Sequence, residues 1–516
     1  MILLSPVYLA IAALLLIGVR VTRRLASPLR KIPGPTISLF TSLLLKWKEI
    51  HAARTLYIHA LHVKYGPVVR IAPNEVSFTS GAALKEIYCS GGSGYDKSQF
   101  YNLFKIYGRR TMFATLNKAD HAKRKRILAD RYANTNVMRS TSLEGIQNRS
   151  KAFLHRCTHA GSSAIDVFIR AYKAIEACSL QHNFLFRLQT AHVQVALHAY
   201  ACDCVTHHLF HPNGSDCTGN KADEEMMYQI AADESLQNRL IAHYIPTLHY
   251  VFAGILSLLA KPRSVPLADN YVLERTETTK PTDTASFTLM SGLEDKTGML
   301  DHIDRAAECL DHMVAGIDTT GDTLCYLMWE LSQSRSAHLQ RRLSDELQNK
   351  TELDLDQLPF LDAVLCEGLR CYPAIPMSMP RVVPQGGRII DGFSLPEKTT
   401  VSCQPHSVHR MNAEVFPEPE TFYPDRWMDS KGDADRRRLL FSFSTGGRGC
   451  IGKHLAIAEM KTLLRDVYSQ YYTTAHPSMT AELMTTSDQL MSTRPFGKKC
   501  LLEFHPLSEY KCPKLG

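Results

Sequence analysis

The chain has no internal repeat, and its 45% hydrophobic and 21% charged residues are not those of a disordered or fibrous protein. It has no regular cysteine spacing. Fourteen cysteines scattered through 516 residues exclude the disulfide framework of a small secreted domain and suit reduced thiols in the cytosol. No small-residue cleavage site separates the apolar N-terminus from the basic residues after it, which argues against a cleaved signal peptide. Length alone would give roughly three domains.

One long uncharged run is present, Met1 to Val19, followed at once by Arg20, Arg23, Arg24, Arg30 and Lys31. As a helix the run would be about 28 Å long, close to the hydrocarbon thickness of a bilayer. Residues 1–19 are therefore expected to be a transmembrane anchor, with the basic flank and the body on the cytoplasmic side. Residues 20–35 form a flank ending in the stiff hinge Pro33-Gly34-Pro35, and the body occupies 36–516. With that topology the sequons at Asn148, Asn213 and Asn349 are chance matches.

Gly66-Pro67 opens the β-branched run Val68–Ile71, which turns at Pro73-Asn74 and returns through Val76 and Phe78, a hairpin. From about Asn117 to Asn349 the pattern is mostly helical, with a surface loop expected over Arg275–Thr284. Ile255–Ala260 is too short to span a membrane and is expected to be a core helix, with membrane-surface contact as the alternative. Short strands return between Arg381 and Cys403. The expected fold class is mainly α with a smaller β portion (α+β).

The segment Phe443-Ser444-Thr445-Gly446-Gly447-Arg448-Gly449-Cys450-Ile451-Gly452 carries the most chemistry. Gly447, Gly449 and Gly452 match a dinucleotide fingerprint, with an apolar run at Leu439–Phe443 before it, but too little chain follows for a complete nucleotide-binding domain. The alternative makes Cys450 a thiolate at the mouth of a helix, where backbone N–H groups and the positive helix end lower its pKa. Such a thiolate can ligate haem iron, while Arg448 can neutralise a haem propionate and Phe443 can pack below the ring.

These residues resemble the cytochrome P-450 family, microsomal type, whose haem loop runs Phe, Gly, Arg, Cys, Gly at the spacing of Phe443, Gly446, Arg448, Cys450 and Gly452. The resemblance extends to Ala315-Gly316-Ile317-Asp318-Thr319-Thr320, within a helical run from about His302 to Leu331. There a hydroxyl bonded to the preceding turn and small residues at Ala315 and Gly316 would distort the helix and open a groove for dioxygen, with Asp318 and Thr319 delivering protons. Glu367-x-x-Arg370 precedes Phe422–Trp427, and the resemblance implies a buried triad of Glu367, Arg370 and Arg426. His121 and Lys125 stand where the family has an aromatic and a basic residue facing a propionate, with Arg126 as the substitute for Lys125. Arg381 resembles a further propionate partner.

The resemblance implies a single interlocked helical domain in place of three. It also implies a non-covalent haem b (iron protoporphyrin IX), since no Cys-x-x-Cys-His occurs. No nicotinamide or flavin fold is found, so electrons are expected from NADPH-cytochrome P-450 reductase, with cytochrome b5 as a second candidate donor. Lys123–Arg126 and Arg436–Arg438, in a chain of net charge +8, are the expected docking charges. The expected substrate is an apolar small molecule oxidised with dioxygen, its pocket drawn from Ser90–Met112, Cys202–Tyr250 and Ala374–Met379. No nucleic-acid partner is expected, and the expected location is the endoplasmic reticulum membrane, single-pass. Lys64–Glu75 resembles filamentous-fungal members that tailor terpenoids or polyketides. The rival readings are a haem-thiolate isomerase or dehydratase and a non-catalytic haem sensor. Cys202, Cys204, His207, His208 and His211 are crowded, but Cys-x-Cys is not zinc spacing, so no metal is expected there.

Overall fold

The structure, a computed structural model, describes residues 6–159, 165–166, 196–231, 236–259, 265–278, 286–294, 300–350 and 354–508. Its centre is the 30-residue helix His302–Leu331, the run expected from sequence, capped where the Asp301 carboxylate accepts from the Asp304 N–H at 2.7 Å. The helix Ala196–Phe210 lies against it, buried throughout. The pair sits close because Gly316 has no side chain: a Cβ there would come within 2.7 Å of Val205 Cγ2. Gly316 thus serves the close packing of these two helices.

The largest sheet has five strands, ordered Val68–Ala72, Glu75–Phe78, Thr400–Cys403, Arg381–Val382 and Asp96–Lys97. Its first pair is the expected hairpin, and Glu75–Phe78 runs parallel to Thr400–Cys403, which joins segments more than 300 residues apart. In the last pair Lys97 stands directly opposite Arg381. Most of the sheet and helices share a main apolar core reaching from Leu29 to Leu502, while Val69, Ile71 and Ala72 of the first strand pack in a smaller cluster with Leu45, Ile58 and Leu61.

Three expectations need correction. Among the described residues no helix is long and apolar enough to cross a membrane. The first helix is Pro6–Ala26, and its uncharged part ends at Val19, about 21 Å at 1.5 Å per residue, before Arg20, Arg23 and Arg24. Met1–Ser5 lie outside the described residues. Second, Pro246–Leu259 is a surface helix rather than a core one: Tyr250 is 87% and Leu258 85% exposed, while Ala260 lies outside the described residues. Third, Arg275–Thr278 ends the helix Pro266–Thr278 instead of belonging to a loop, and Thr279–Thr284 lie outside the described residues.

Candidate active site

The cysteine loop is held from behind by a buried charge cluster. The helix Pro359–Cys371 presents Glu367 and Arg370 one turn apart, with Arg370 Nε 2.8 Å from Glu367 Oε2 and Arg426 Nε 3.0 Å from Oε1. The Trp427 Nε1–H and the Tyr423 N–H each donate to the same carboxylate at 2.9 Å. All three triad residues are buried, as the resemblance implies. Burial alone would raise the Glu367 carboxyl, but Arg370 and Arg426 hold it below the usual range.

From Arg370 the network reaches the loop through a residue that sequence reasoning missed. The Arg370 carbonyl lies 2.9 Å from His409 Nδ1, and His409 Nε2 accepts from the Phe441 N–H at 2.8 Å. Burial pushes His409 down to about 3, so it is neutral, and accepting at Nε2 places its proton on Nδ1. The Ser442 hydroxyl donates to the Leu369 carbonyl at 2.6 Å. Leu439–Phe443 is therefore the tied-down entry to a loop and not a strand, which removes the dinucleotide reading.

Within the loop the Cys450 N–H donates to the Phe443 carbonyl at 2.8 Å. Gly446 has φ +70°, and a Cβ on it would sit 2.2 Å from the Tyr88 carbonyl oxygen, so only glycine fits. Gly452 caps the helix Lys453–Tyr468 directly after the cysteine. Cys450 opens onto an internal cavity. Burial pushes its thiol up, against the pull of the Gly452 and Lys453 N–H groups and of the Lys125 and Lys453 charges. The helix mouth alone therefore does not yield the depressed pKa expected from sequence, whereas a ligating metal ion deprotonates a thiol outright.

Lys125 departs from its expected role. Its Nζ donates to the Gly447 and Gly449 carbonyls, both at 3.0 Å, clamping the loop instead of facing the cavity. Arg126 is exposed and does not line the cavity. The basic side chains that line it include His121, Arg381 and Arg448, all expected to meet the cofactor, and Lys97, which was not; Arg239 and Arg494 line it as well. Nothing in its spacing marks Lys97. It reaches the cavity because strand pairing sets it opposite Arg381.

Like charges directly opposed on a sheet repel, and buried ones are costly without a counter-ion. Burial, with Arg381 and Arg448 nearby, holds Lys97 far below the usual lysine range, and burial lowers Arg448 to about 10. His121 is pushed to about 3 by burial and the same cations. Arg381 Nε and Arg448 Nε and Nη1 have no hydrogen-bond partner. The acid nearest Arg448, Asp96 at 3.6 Å, has a half-exposed side chain. Against these groups stand Asp96 and Asp311, the latter lining the same cavity, so the cradle keeps an excess of basic groups that the two carboxylates of a haem would fit.

Lys97→Met should therefore act in opposite directions on the two forms of the protein. Although its Nζ donates to the Phe113 carbonyl at 2.6 Å, removing a buried amine set beside Arg381 and Arg448 stabilises the haem-free chain. Losing a charge-assisted bond of about 1.5–3 kcal/mol speeds haem transfer to a scavenging protein by roughly 10- to 100-fold. Unchanged transfer would exclude Lys97 from the cradle.

The cavity has a volume of about 380 Å³. Ala315, Gly316, Asp318 and Thr319 all line it, and the Thr319 hydroxyl donates to the Ala315 carbonyl at 2.7 Å. That bond was expected, but the helix continues unbroken through it. In the cavity wall the Thr320 hydroxyl donates to Glu459 at 3.2 Å, and burial pushes this carboxyl up to about 8. The apolar wall includes Phe104, Ile230 and Ile375, one from each segment expected to form the pocket. It also includes Leu490 and Met491 from the turn between the strands Thr486–Asp488 and Thr493–Pro495, which sequence reasoning missed.

Cys202, Cys204, His207 and His208 are buried along the Ala196–Phe210 helix. Among the described residues the group with metal-like spacing is a different one, Cys202, Asp203 and Cys217. Its carboxylate is already occupied by the Ser215 hydroxyl at 2.7 Å and the Cys217 N–H at 2.8 Å.

The family model described as cytochrome P-450 matches residues 32–498. Cytochrome P-450 monooxygenase orf2 of Aspergillus niger is 27% identical over 502 residues, covering 94% of each chain. Cytochrome P-450 monooxygenase stcB of Emericella nidulans is 25% identical over 494 residues, covering 92% of this chain and 88% of its own. Cytochrome P-450 monooxygenase ABA2 of Pyricularia oryzae is 27% identical over 472 residues, covering 86% and 84%. Matched along nearly its whole length and carrying a cysteine loop, a cationic cradle and an acid–alcohol pair around one cavity, the chain belongs to the cytochrome P-450 family and is a monooxygenase.

Proposed function

We propose that the protein, with haem b as its cofactor, inserts one atom of dioxygen into a C–H bond or double bond of an apolar small molecule. Electrons come from NADPH through a separate NADPH-dependent reductase, with cytochrome b5 as an alternative second donor. For hydroxylation the balance is RH + O2 + NADPH + H⁺ giving ROH + H2O + NADP⁺. The haem, when bound, supplies the oxygen activation. Residues 36–516 act as one catalytic domain.

The observation that carries this reading is that Cys450 and the Asp318–Thr319 pair face one cavity with an apolar wall. Cys450 would ligate the iron, and Lys97, Arg381, Arg448 and His121 would hold the haem carboxylates. Phe104, Ile230 and Leu490 would orient the substrate and exclude water. Asp318 would hold a proton and Thr319 would pass it through its hydroxyl. An isomerase or dehydratase would not need that pair, and neither would a sensor. Lys123 and Arg126 are exposed for reductase docking, while Arg124 is paired with Glu308 and Arg436 is buried, so the expected docking charges are reduced to part of each cluster.

Terpenoids and polyketides of fungal secondary metabolism are the substrate classes we favour, on the Lys64–Glu75 resemblance and the fungal sources of the relatives. Screening such compounds with reductase, NADPH and isotopically labelled dioxygen tests the reading through label in the product. In Thr319→Ala, product per NADPH should fall by about 10-fold or more, with hydrogen peroxide released in its place. Full coupling in that variant would sink the proton role, and turnover without NADPH or label would favour the isomerase.

A further inference from the structure

Upstream of Thr319 on the same helix lies a buried polar chain that neither the cysteine loop nor the cationic cradle uses. His312 lies three, four and seven residues before Ala315, Gly316 and Thr319, spacings that place all four on the cavity-facing side of the helix. Its ring bridges two groups. His312 Nδ1 is 2.6 Å from the Tyr132 hydroxyl, and Tyr132 also lines the cavity. His312 Nε2 has no hydrogen-bond partner and faces Glu308 Oε2 at 3.9 Å, one turn back.

Glu308 in turn leads outward. Its carboxylate accepts from the Met112 N–H at 2.9 Å and from Arg124 of the Lys118–Leu128 helix. Arg124 is 24% exposed in its side chain and lies 3.7 Å from Asp304. Behind Tyr132, His208 of the Ala196–Phe210 helix packs on the phenol ring at 4.6 Å, and neither of its ring nitrogens has a partner. Unpaired buried nitrogens are costly, and leucine would fill the same space without that cost.

The protonation states suit transfer. Burial holds His312 near 4 and His208 near 3, so both are neutral, and burial keeps Tyr132 a phenol. Glu308 differs: burial, reinforced by Asp311, raises it to about 7 against the opposing Met112 N–H and Arg124, so it exchanges its proton near neutral pH.

We propose that Glu308, His312 and Tyr132 form a proton relay from solvent to the oxygen-reduction cavity, separate from Asp318 and Thr319. Tyr132 gives its hydroxyl proton to the cavity and takes one from His312 Nδ1–H. His312 Nε2 takes the Glu308 carboxyl proton once a side-chain adjustment closes the 3.9 Å gap, and Glu308 is reprotonated from water beside Arg124. One proton moves inward and no group is left charged; His312 is left with its proton on Nε2 and returns to the Nδ1–H form by rotation of its ring before the next transfer. The inference rests on the monooxygenase reading, in which each dioxygen consumes two electrons and two protons.

The test uses the haem-loaded full chain with NADPH and a reductase, and no organic substrate, so that oxygen is reduced to peroxide or water. Tyr132→Phe and Glu308→Gln should each keep the thiolate band of the reduced carbon monoxide complex. Each should raise peroxide per NADPH by about twofold or more. Glu308→Gln should also remove the step near pH 7 from the rate profile. Combination with Thr319→Ala should add to either effect. In the resting protein the infrared carboxyl band of Glu308 should vanish as pH rises through about 7 and titrate at a different pH in His312→Leu. Unchanged peroxide yield and pH profile in both variants, with the thiolate band intact, would overturn the relay. Absence of that band in the unmutated protein would overturn the monooxygenase reading and the relay with it.

Discussion

Replacing Cys450 with alanine should abolish the red-shifted Soret band of the reduced carbon monoxide complex and, with it, all NADPH-dependent turnover. The band reports a thiolate on iron, and Cys450 is the cysteine that opens onto the cavity, on a loop fixed by the Phe443 carbonyl, the Lys125 clamp and the Gly446 turn. Haem itself should be partly retained in Cys450→Ala, because the cradle of Lys97, Arg381 and Arg448 is built on other elements and does not depend on the sulfur. The informative result is therefore bound haem with a spectrum lacking the thiolate band. An unchanged red-shifted band in Cys450→Ala would refute the assignment of this residue as the ligand.

Glu367→Gln should cost the folded protein about 3–5 kcal/mol, because it strands two buried guanidiniums whose counter-charge is this carboxylate. Against the usual 5–15 kcal/mol of total stability, that is enough to lower both the yield of folded protein and its haem content. The loss is transmitted to the site by a definite route, Arg370 to His409 to the Phe441 N–H, so haem retention should fall even in the fraction that stays folded. Denaturant midpoints and haem stoichiometry measure the two effects. Disrupting the exposed pair Arg437–Asp433 is the contrast, expected to cost under about 1 kcal/mol. A Glu367→Gln midpoint matching that surface variant would show that the triad does not stabilise the fold.

The same carboxylate sets an acid limit. Its folded pKa is depressed, so its stabilisation is fully present above the unfolded value of about 4.3 and is lost as pH falls through the lower folded value. The denaturant midpoint of the unmutated protein should drop over that window by more than that of Glu367→Gln.

Much of the site was legible because its parts are short and local. The run Phe443–Gly452 contains the ligand, the glycine that its turn requires and the start of the following helix within ten residues. Glu367 and Arg370 share a helix face by spacing alone, and the helix His302–Leu331 was legible from its periodicity and composition. His409 was not legible, since a histidine in Pro405–Met411 becomes a link only when two distant backbone groups flank it.

By itself the sequence determined which residues could ligate, turn and cap, because those properties follow from side-chain chemistry and from spacings within one or two helical turns. Only the tertiary structure decided that Lys97 faces Arg381 across a strand pair, that Lys125 clamps the loop while Arg126 points outward, and that Leu490 and Met491 close the cavity. It also decided that among the described residues no helix, Pro6–Ala26 included, is long and apolar enough to cross a membrane. The physical reason is common to these cases. Strand register, helix start points and the direction a long side chain takes depend on contacts between segments far apart in the chain, and local spacing carries no record of them.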